Sequence, residues 1–237
     1  MMKRLVIVLL SLSFLPLDSL AIALIQQATC TGASSPVTCT ISAPASGNTL
    51  CVMEGASQGS AITSVSGGGV TWVAVSSSTV KFDAEIWCGP NSSGSGTTIT
   101  INWSVGGTLW ANTSEWSGMP TSLTKDGTAR NNGTTTNPIA TSITTTNASD
   151  VMLATVIDPQ TLSSGPTNSY TALNTAQANR VQHAYRIVSV TGAYSTDWTY
   201  GTSNDWETEH AALQGSGGGA AAAAGVNKRM KRERMEE

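Results

Sequence analysis

The segment from Gly69 to Gly118 constrains the fold most, because it contains five of the seven tryptophans of the 237-residue chain. These are Trp72, Trp87, Trp103, Trp110 and Trp116. Runs of aromatic and β-branched residues alternate here with Gly, Ser and Asn, a pattern typical of short strands joined by turns. Buried aromatic rings contribute strongly to a hydrophobic core. We therefore expect four short strands in this segment, and we expect them to supply many of the core side chains.

Period-two alternation of apolar and polar residues predicts strands elsewhere too. Thr98–Val105 alternates strictly, as does a half-buried strand of an antiparallel sheet. Lys81–Cys88 alternates in the same way and places Asp83 and Glu85 on one face. Looser alternation predicts strands at Asn48–Gly55, Val151–Ile157, Arg180–Val190, Ala193–Tyr200 and Trp206–Leu213. With no sustained helical period before Gly215, the chain is predicted to be an all-β antiparallel β-sandwich, jelly-roll-like or immunoglobulin-like.

Aromatic residues also recur at a spacing of 95 to 98 residues. The pairs are Trp72 with Tyr170, Trp87 with Tyr185, Trp103 with Trp198, and Trp110 with Trp206. The neighbouring text agrees, since NTLCVME aligns with SDVMLAT and ITINWS with YSTDWT. Chance alignment of aromatic-rich strands is the alternative, but four matches in register favour two duplicated halves. Two tandem sandwiches and one larger sandwich are both compatible with this repeat, and we favour the single sandwich.

The ends of the chain differ from its middle. A basic start and a short apolar run precede an A-x-A cleavage site at Ala21-Ile22-Ala23, which predicts a secretory signal. The run is too short and too interrupted to remain as a transmembrane segment. The C-terminal end combines a Gly/Ala linker with a densely charged tail, which is either solvated and disordered or a docking tag. The predicted divisions are a signal peptide (1–23), a first half (24–118), a connecting loop (119–137), a second half (138–215), and a flexible linker and tail (216–237).

All four cysteines follow the predicted cleavage site, and an even number in an exported chain favours disulfides. Four cysteines allow three pairings, of which we favour Cys30–Cys39 and Cys51–Cys88. A zinc site is disfavoured because no C-x-x-C occurs and only His183 and His210 could assist. We therefore expect neither a metal nor a cofactor.

The charge distribution argues against nucleic acid as a partner. Between Leu24 and Gly215 the sequence has five basic and eleven acidic residues, a formal net charge of −6. Binding to a phosphate backbone requires a basic surface. Five of the twelve Lys and Arg residues lie instead in the last ten positions of the chain.

A few residues are candidates for catalysis or for ligand binding. Asp83 and Glu85 lie two apart on one predicted strand, and paired carboxylates are what a glycosidase needs. Glu115 stands beside Trp116, and an acid next to a tryptophan can mark a sugar site. The catalytic candidates are therefore Asp83, Glu85 and Glu115, with an exposed polar strand face as the alternative for the first two. The ligand-binding candidates are Trp87, Trp110, Trp116 and Tyr185, with a core position as the alternative for each. Glu207 and Glu209 form a second pair two residues apart, with His210 on the other face.

Two resemblances bear on these expectations. FDAEIW is similar to the acidic strand of concanavalin-like glycoside hydrolases, although Lys81 stands where that motif normally has a further Glu. GVTWVAVSSS, IWCGPN, SEWSG and VSVTGAYSTDWTYG resemble a group of uncharacterised exported bacterial β-sandwich proteins, over roughly Ser35–Gly215. The second resemblance implies a secreted or cell-surface sandwich and carries no active-site residues.

Together these features predict a secreted or cell-surface protein that acts in adhesion or glycan binding without catalysis. Its expected partner is a glycan or another component of the cell envelope. A glycoside hydrolase that uses the strand carboxylates is one alternative. A structural component of the envelope or of an appendage is the other. The sequence does not specify the oligomeric state.

Overall fold

The computed structural model describes residues 21–57, 59–104, 107–174 and 180–217, and these residues form strands and loops without a helix. The strands of the first half are β1 (Ala23–Gly32), β2 (Val37–Thr40), β3 (Thr49–Ala56), β4 (Ile62–Gly67), β5 (Val73–Ser78), β6 (Asp83–Gly89), β7 (Thr98–Trp103) and β8 (Leu109–Ser117). The strands of the second half are β9 (Lys125–Gly133), β10 (Ile139–Thr144), β11 (Asp150–Ile157), β12 (Leu162–Ser164), β13 (Thr171–Ala172), β14 (Val181–Val188), β15 (Ala193–Asp197), β16 (Thr199–Tyr200) and β17 (Trp206–Gln214). All strand pairs are antiparallel, which confirms the predicted fold class.

Each half contains one large and one smaller sheet layer. The large sheet of the first half has the order β1-β8-β3-β6-β5, and a three-stranded sheet, β2-β7-β4, packs against one of its faces. The large sheet of the second half has the order β9-β17-β11-β14-β13, and the pairs β10-β15 and β12-β16 form its smaller layer. Each half therefore buries its own core, which contains Trp103 in the first half and Trp198 in the second.

The two large sheets pack against each other through their remaining faces. In β3, Leu50 and Val52 belong to the core of the first half, whereas Cys51 and Met53 point toward the second half. This alternation follows from the period of two in a strand, and it explains why all eight residues of β3 are buried. β11 is likewise buried over its full length. Each large sheet is therefore covered on both faces, and the described chain forms four layers.

The predicted strands are present with small shifts at their ends. Thr98–Val105 corresponds to β7, Lys81–Cys88 to β6, and Asn48–Gly55 to β3. The predicted Ala193–Tyr200 strand is divided at Trp198 into β15 and β16. The alternation in Lys81–Cys88 is also observed, but both faces of β6 are covered, so the expectation of an exposed polar face was wrong.

Two of the expected boundaries differ from the structure. Within the expected connecting loop, 119–137, residues Lys125–Gly133 form β9 and pair with β17. β9 is an edge strand with half-buried or exposed positions, so it needs no apolar alternation. At the N-terminus, Ile22 is buried in the core between the halves, and Ala23 already pairs with Ser117. The rest of the predicted signal peptide and nearly all of the charged tail lie outside the described residues.

The two large sheets have the same strand order, read from β1 in one half and from β9 in the other. A duplicated unit would give such a match, and the duplication itself stays a prediction. The aromatic pairs are not all equivalent, however. Trp87 packs toward the core of the first half, whereas Tyr185 packs into the core between the halves.

Both favoured disulfides are confirmed. Cys51 and Cys88 lie directly opposite each other on β3 and β6, in the core between the halves. Cys30 on β1 and Cys39 on β2 join the two sheets of the first half. Disulfides of this kind are typical of proteins that fold outside the reducing cytoplasm. In the part of the chain that the structure describes, no helix is long and apolar enough to cross a membrane.

We predict that the two disulfides contribute unequally to stability. Cys51–Cys88 closes a longer loop than Cys30–Cys39, with sequence separations of 37 and 9. On a chain-entropy basis the double variant Cys51→Ala/Cys88→Ala should lose about 4 kcal/mol of unfolding free energy. Cys30→Ala/Cys39→Ala should lose about 2.5 kcal/mol. Urea denaturation of the two variants measures both losses, and an equal or larger loss in the second would contradict the prediction.

Candidate functional site

Asp83 and Glu85 lie on β6 and point into the interior of the first half. They are 0% and 3% exposed. One oxygen of Asp83 accepts a hydrogen bond from the backbone N–H of Ser60, and Glu85 Oε1 accepts one from the N–H of Ile62 at 2.8 Å. Both carboxyls therefore anchor the connection between β3 and β4. No sugar could reach them without opening the sandwich.

A third carboxyl, which the sequence did not suggest, lies beside this pair. Glu54 on β3 is directly opposite Glu85 and is fully buried. Neither of its oxygens has a hydrogen-bond partner. Burial, with smaller contributions from Glu85 and Asp83, raises the pKa of Glu54 well above its ordinary value. Among the described residues, no group of three or more His, Cys, Asp or Glu side chains has a geometry that could hold a metal ion.

Glu115 lies at the other end of the same sheet. It pairs with Leu50 on β3, whereas Asp83 pairs with Ala56, six residues further along that strand. At 3.3–3.4 Å per residue this is about 20 Å. Glu115 Oε1 accepts hydrogen bonds from the N–H of Ala45 at 2.8 Å and from the side chain of Asn48 at 2.6 Å. The three catalytic candidates therefore do not converge on one site.

The aromatic candidates are also separated. Trp116 is fully buried between the halves, and its ring meets that of Tyr185 edge to face at a centroid distance of 5.1 Å. Trp87 is half-buried and donates a hydrogen bond from Nε1 to Glu85 Oε2 at 2.7 Å. Trp110 packs with Ile157 at another point between the halves. Trp87, Trp110 and Tyr185 are each half-buried, and the aromatic candidates do not form one surface.

The second carboxylate pair joins the two halves. Glu207 on β17 accepts hydrogen bonds from the backbone N–H groups of Lys81 at 2.6 Å and Phe82 at 2.8 Å. Beside it, Lys81 forms an ion pair with Asp205 at 3.0 Å. Glu207 therefore fixes the turn between β5 and β6 against the second half, as Asp83 and Glu85 fix the connection between β3 and β4.

Glu209 belongs instead to an open cleft between β5 and β9, the edge strands of the two large sheets. The cleft has a volume of about 420 Å³. It is lined by Val75, Ser76, Ser77, Thr128, Ala129, Arg130 and Glu209. Arg130 is the cross-strand partner of Glu209, and the Ser76 hydroxyl donates to Glu209 Oε1. Hydroxyls, one guanidinium and one carboxyl therefore meet in a single concave surface.

The carboxyl of Glu209 is unusual in its protonation. Its other oxygen is buried without a hydrogen-bond partner. Burial raises the pKa of Glu209 to about 8, against the opposing effects of Ser76 and Arg130. At neutral pH this carboxyl is mostly neutral, so it can donate as well as accept a hydrogen bond.

Neither histidine lies in this cleft. His183 is buried between the halves, and burial lowers its pKa to about 3. His210 is buried in the core of the second half beside the Tyr170 hydroxyl, at 2.7 Å from Nε2, and burial lowers its pKa to about 4. Both are neutral at physiological pH and serve as hydrogen-bonding groups of the interior.

The cleft was not predicted, because its residues come from distant parts of the chain. Ser76 and Ser77 stand in a serine run, and Arg130 lies in the segment expected to be a loop. The sequence showed that Glu207 and Glu209 lie on one face of a strand. Nothing in that spacing indicated that Ser76, more than a hundred residues earlier, contacts Glu209. Only the packing of the two large sheets brings these side chains together.

Comparison with known proteins gives no match: no family model fits the chain, and no curated protein or solved structure is significantly similar to it.

We predict that stability falls as the pH rises above neutrality. Because the pKa of Glu209 is raised from 4.5 to about 8, its stabilising contribution is complete below pH 4.5 and is lost as the pH rises through 8. Near pH 6.5 the two histidines oppose this loss, because they are about half protonated in the unfolded state and neutral in the folded state, and this opposition fades as the pH rises. Urea denaturation between pH 6.5 and 8.5 should therefore show an unfolding free energy that falls above about pH 7, by up to about 1.4 kcal/mol per pH unit for one proton.

Glu209→Gln should make this slope less steep, because it removes the contribution of one titrating group. Asp150→Asn is the matched control, because burial raises the pKa of Asp150 only to about 7. The Asp150→Asn variant should have a smaller slope than the unmodified protein below pH 7 and the same slope above pH 7.5. A Glu209→Gln variant with the slope of the unmodified protein would contradict the assignment.

Proposed function

We propose that the protein is an extracytoplasmic β-sandwich that binds a glycan, without catalysis, in the cleft between β5 and β9. The observation that carries this proposal is the composition of the cleft, in which Ser76, Ser77 and Thr128 offer hydroxyls beside Arg130 and Glu209. Sugars are recognised through several hydroxyl groups, so a ligand site for them needs both donors and acceptors at close range. A volume of about 420 Å³ suits one or two sugar rings.

Two further features support an extracytoplasmic role. The two disulfides fit an oxidising compartment. The N-terminal sequence has the composition of a secretory signal. We therefore retain the sequence-based expectation of a secreted or cell-surface protein. We place the binding site in the β5–β9 cleft and not at the tryptophans.

Buried carboxyls argue against the hydrolase alternative. A glycosidase needs its acid and its base or nucleophile on either side of an accessible bond. Asp83 and Glu85 instead accept hydrogen bonds from backbone N–H groups in the interior. Among the described residues that line the cleft, Glu209 is the single carboxyl, and hydrolysis by the usual mechanism requires two.

A glycan-array screen followed by titration tests the proposal. Arg130→Gln should weaken binding of the hits by about tenfold or more, because hydrogen bonds from a charged group contribute about 1.5–3 kcal/mol. Arg180→Gln is the matched control, since it makes the same change of charge at an exposed position outside the cleft. Equal losses in both variants would contradict the cleft as the site.

Parallel assays of hydrolysis distinguish the other functions. Turnover of a hit that Glu85→Gln abolishes would replace the proposal by the hydrolase. Absence of both binding and turnover across the array would favour a structural component of the envelope.

A further inference from the structure

We propose that a second pocket, the outer pocket, which lies around Arg186 between β14 and β15, binds the carboxylate or sulfate group of an acidic sugar. The pocket has a volume of about 250 Å³. It is lined by Asn168, Ser169, Arg186, Ala193, Tyr194 and Ser195. Arg186 and Glu209 lie on opposite faces of the same large sheet, so this pocket is separate from the β5–β9 cleft.

The guanidinium of Arg186 is held in place before any ligand arrives. Its Nη1 donates a hydrogen bond to the carbonyl oxygen of Asn168 at 2.7 Å. Its central carbon lies 4.8 Å from the centroid of the Tyr194 ring, a cation–π contact. The Tyr194 hydroxyl in turn donates to the carbonyl oxygen of Val190 at 2.7 Å, which fixes the ring. A preorganised group loses less conformational entropy when it binds.

The wall of the pocket is a tight turn that presents the Asn168 carbonyl to Arg186. Asn168 and Ser169 have φ values of 54° and 62°, and the N–H of Tyr170 donates to the carbonyl oxygen of Thr167 at 3.1 Å. Two central residues with positive φ define a type I′ turn. The Asn168 side chain also donates to the carbonyl oxygen of Ser195 at 3.1 Å, which ties the turn to β15.

The charge of Arg186 is not neutralised within the described part of the chain. The one ion pair there joins Lys81 to Asp205, and no carboxylate lies within 4.0 Å of Arg186. Tyr170, whose pKa is raised by burial and lowered in part by Arg186, stays protonated and adds no negative charge.

These features favour an anion with two coplanar or tetrahedral oxygens. A guanidinium has five N–H donors, of which Asn168 uses one, and its fork matches a carboxylate or a sulfate. No acidic side chain lines the pocket, and Ser169 and Ser195 supply hydroxyls for the neighbouring positions of the sugar. Uronic acids and sulfated sugars both provide this chemistry.

NMR titration of the disulfide-bonded protein tests the proposal with three probes at constant ionic strength: sodium glucuronate, sodium sulfate and glucose. Glucuronate or sulfate, or both, should shift the backbone amide signals of Asn168, Ser169 and Ser195, whereas glucose should not. A comparison of the shifts that glucuronate and sulfate cause shows whether the pocket prefers a carboxylate or a sulfate. No shift with either anion, or an equal shift with glucose, would overturn the proposal.

Two substitutions locate the interaction. Arg186→Gln should weaken anion binding by about tenfold or more, and Arg186→Lys should give an intermediate loss because it keeps the charge without the fork. Arg180→Gln is the matched control, with the same change of charge at an exposed position outside both pockets, and it should stay within about twofold of the unmodified protein. Undiminished binding in Arg186→Gln, or an equal loss in Arg180→Gln, would overturn the assignment. If Arg186→Gln fails to fold, full retention of affinity in Arg186→Lys would also count against the bidentate contact.

The two proposals fail independently. Loss of glycan binding in Arg130→Gln concerns only the β5–β9 cleft, whereas loss of anion binding in Arg186→Gln concerns only the outer pocket.

Discussion

The packing of the two large sheets against each other is the interaction on which the rest of the structure depends. It covers the second face of both sheets and buries Cys51, Met53 and Trp116 against Val151 and Leu153. Burial of each such side chain contributes about 1.5–3 kcal/mol. Without this contact each half would expose one apolar sheet face, which a soluble chain does not tolerate over such an area. The same packing aligns the edge strands β5 and β9 and so creates the cleft between them.

Acidic residues occupy much of this interior, and their roles follow from the cost of burying charge. An ionised carboxylate in a low-dielectric interior needs several hydrogen-bond donors or it takes up a proton. Glu207 meets the first condition, because it accepts from consecutive backbone N–H groups at the β5–β6 turn. Glu54 shows the tendency toward the second, since both of its oxygens lack hydrogen-bond partners among the described residues and burial raises its pKa. Most of these acids therefore hold loops in place by accepting hydrogen bonds. This explains how a chain with a net negative charge can bury so many of them.

The sequence predicted the strands with apolar alternation and missed those whose environment does not require it. Thr98–Val105 was recognised because β7 has one face toward a core. β9 was taken as a loop because its residues, KDGTARNNG, lie at an edge where hydrogen bonding to β17 suffices. The disulfide pairing followed from spacing and export. Burial of Asp83 and Glu85 could not be foreseen, since a strand with alternating acids normally has one solvated face, and here a second sheet covers that face.

The positions of the two pockets follow from the different side chains that the interior and the edges of the sheets contain. Every tryptophan of the chain is buried or half-buried, so the large aromatic side chains mainly stabilise the layers. The polar groups of the two pockets lie where a sheet ends or a turn meets it, as with Arg130 on β9 and Arg186 beside the Thr167–Tyr170 turn. Each of these arginines is held by a rigid strand and is surrounded by short hydroxyl side chains. In this sandwich the candidate recognition surfaces therefore lie at sheet edges and turns, while the packed faces of the sheets stabilise the fold.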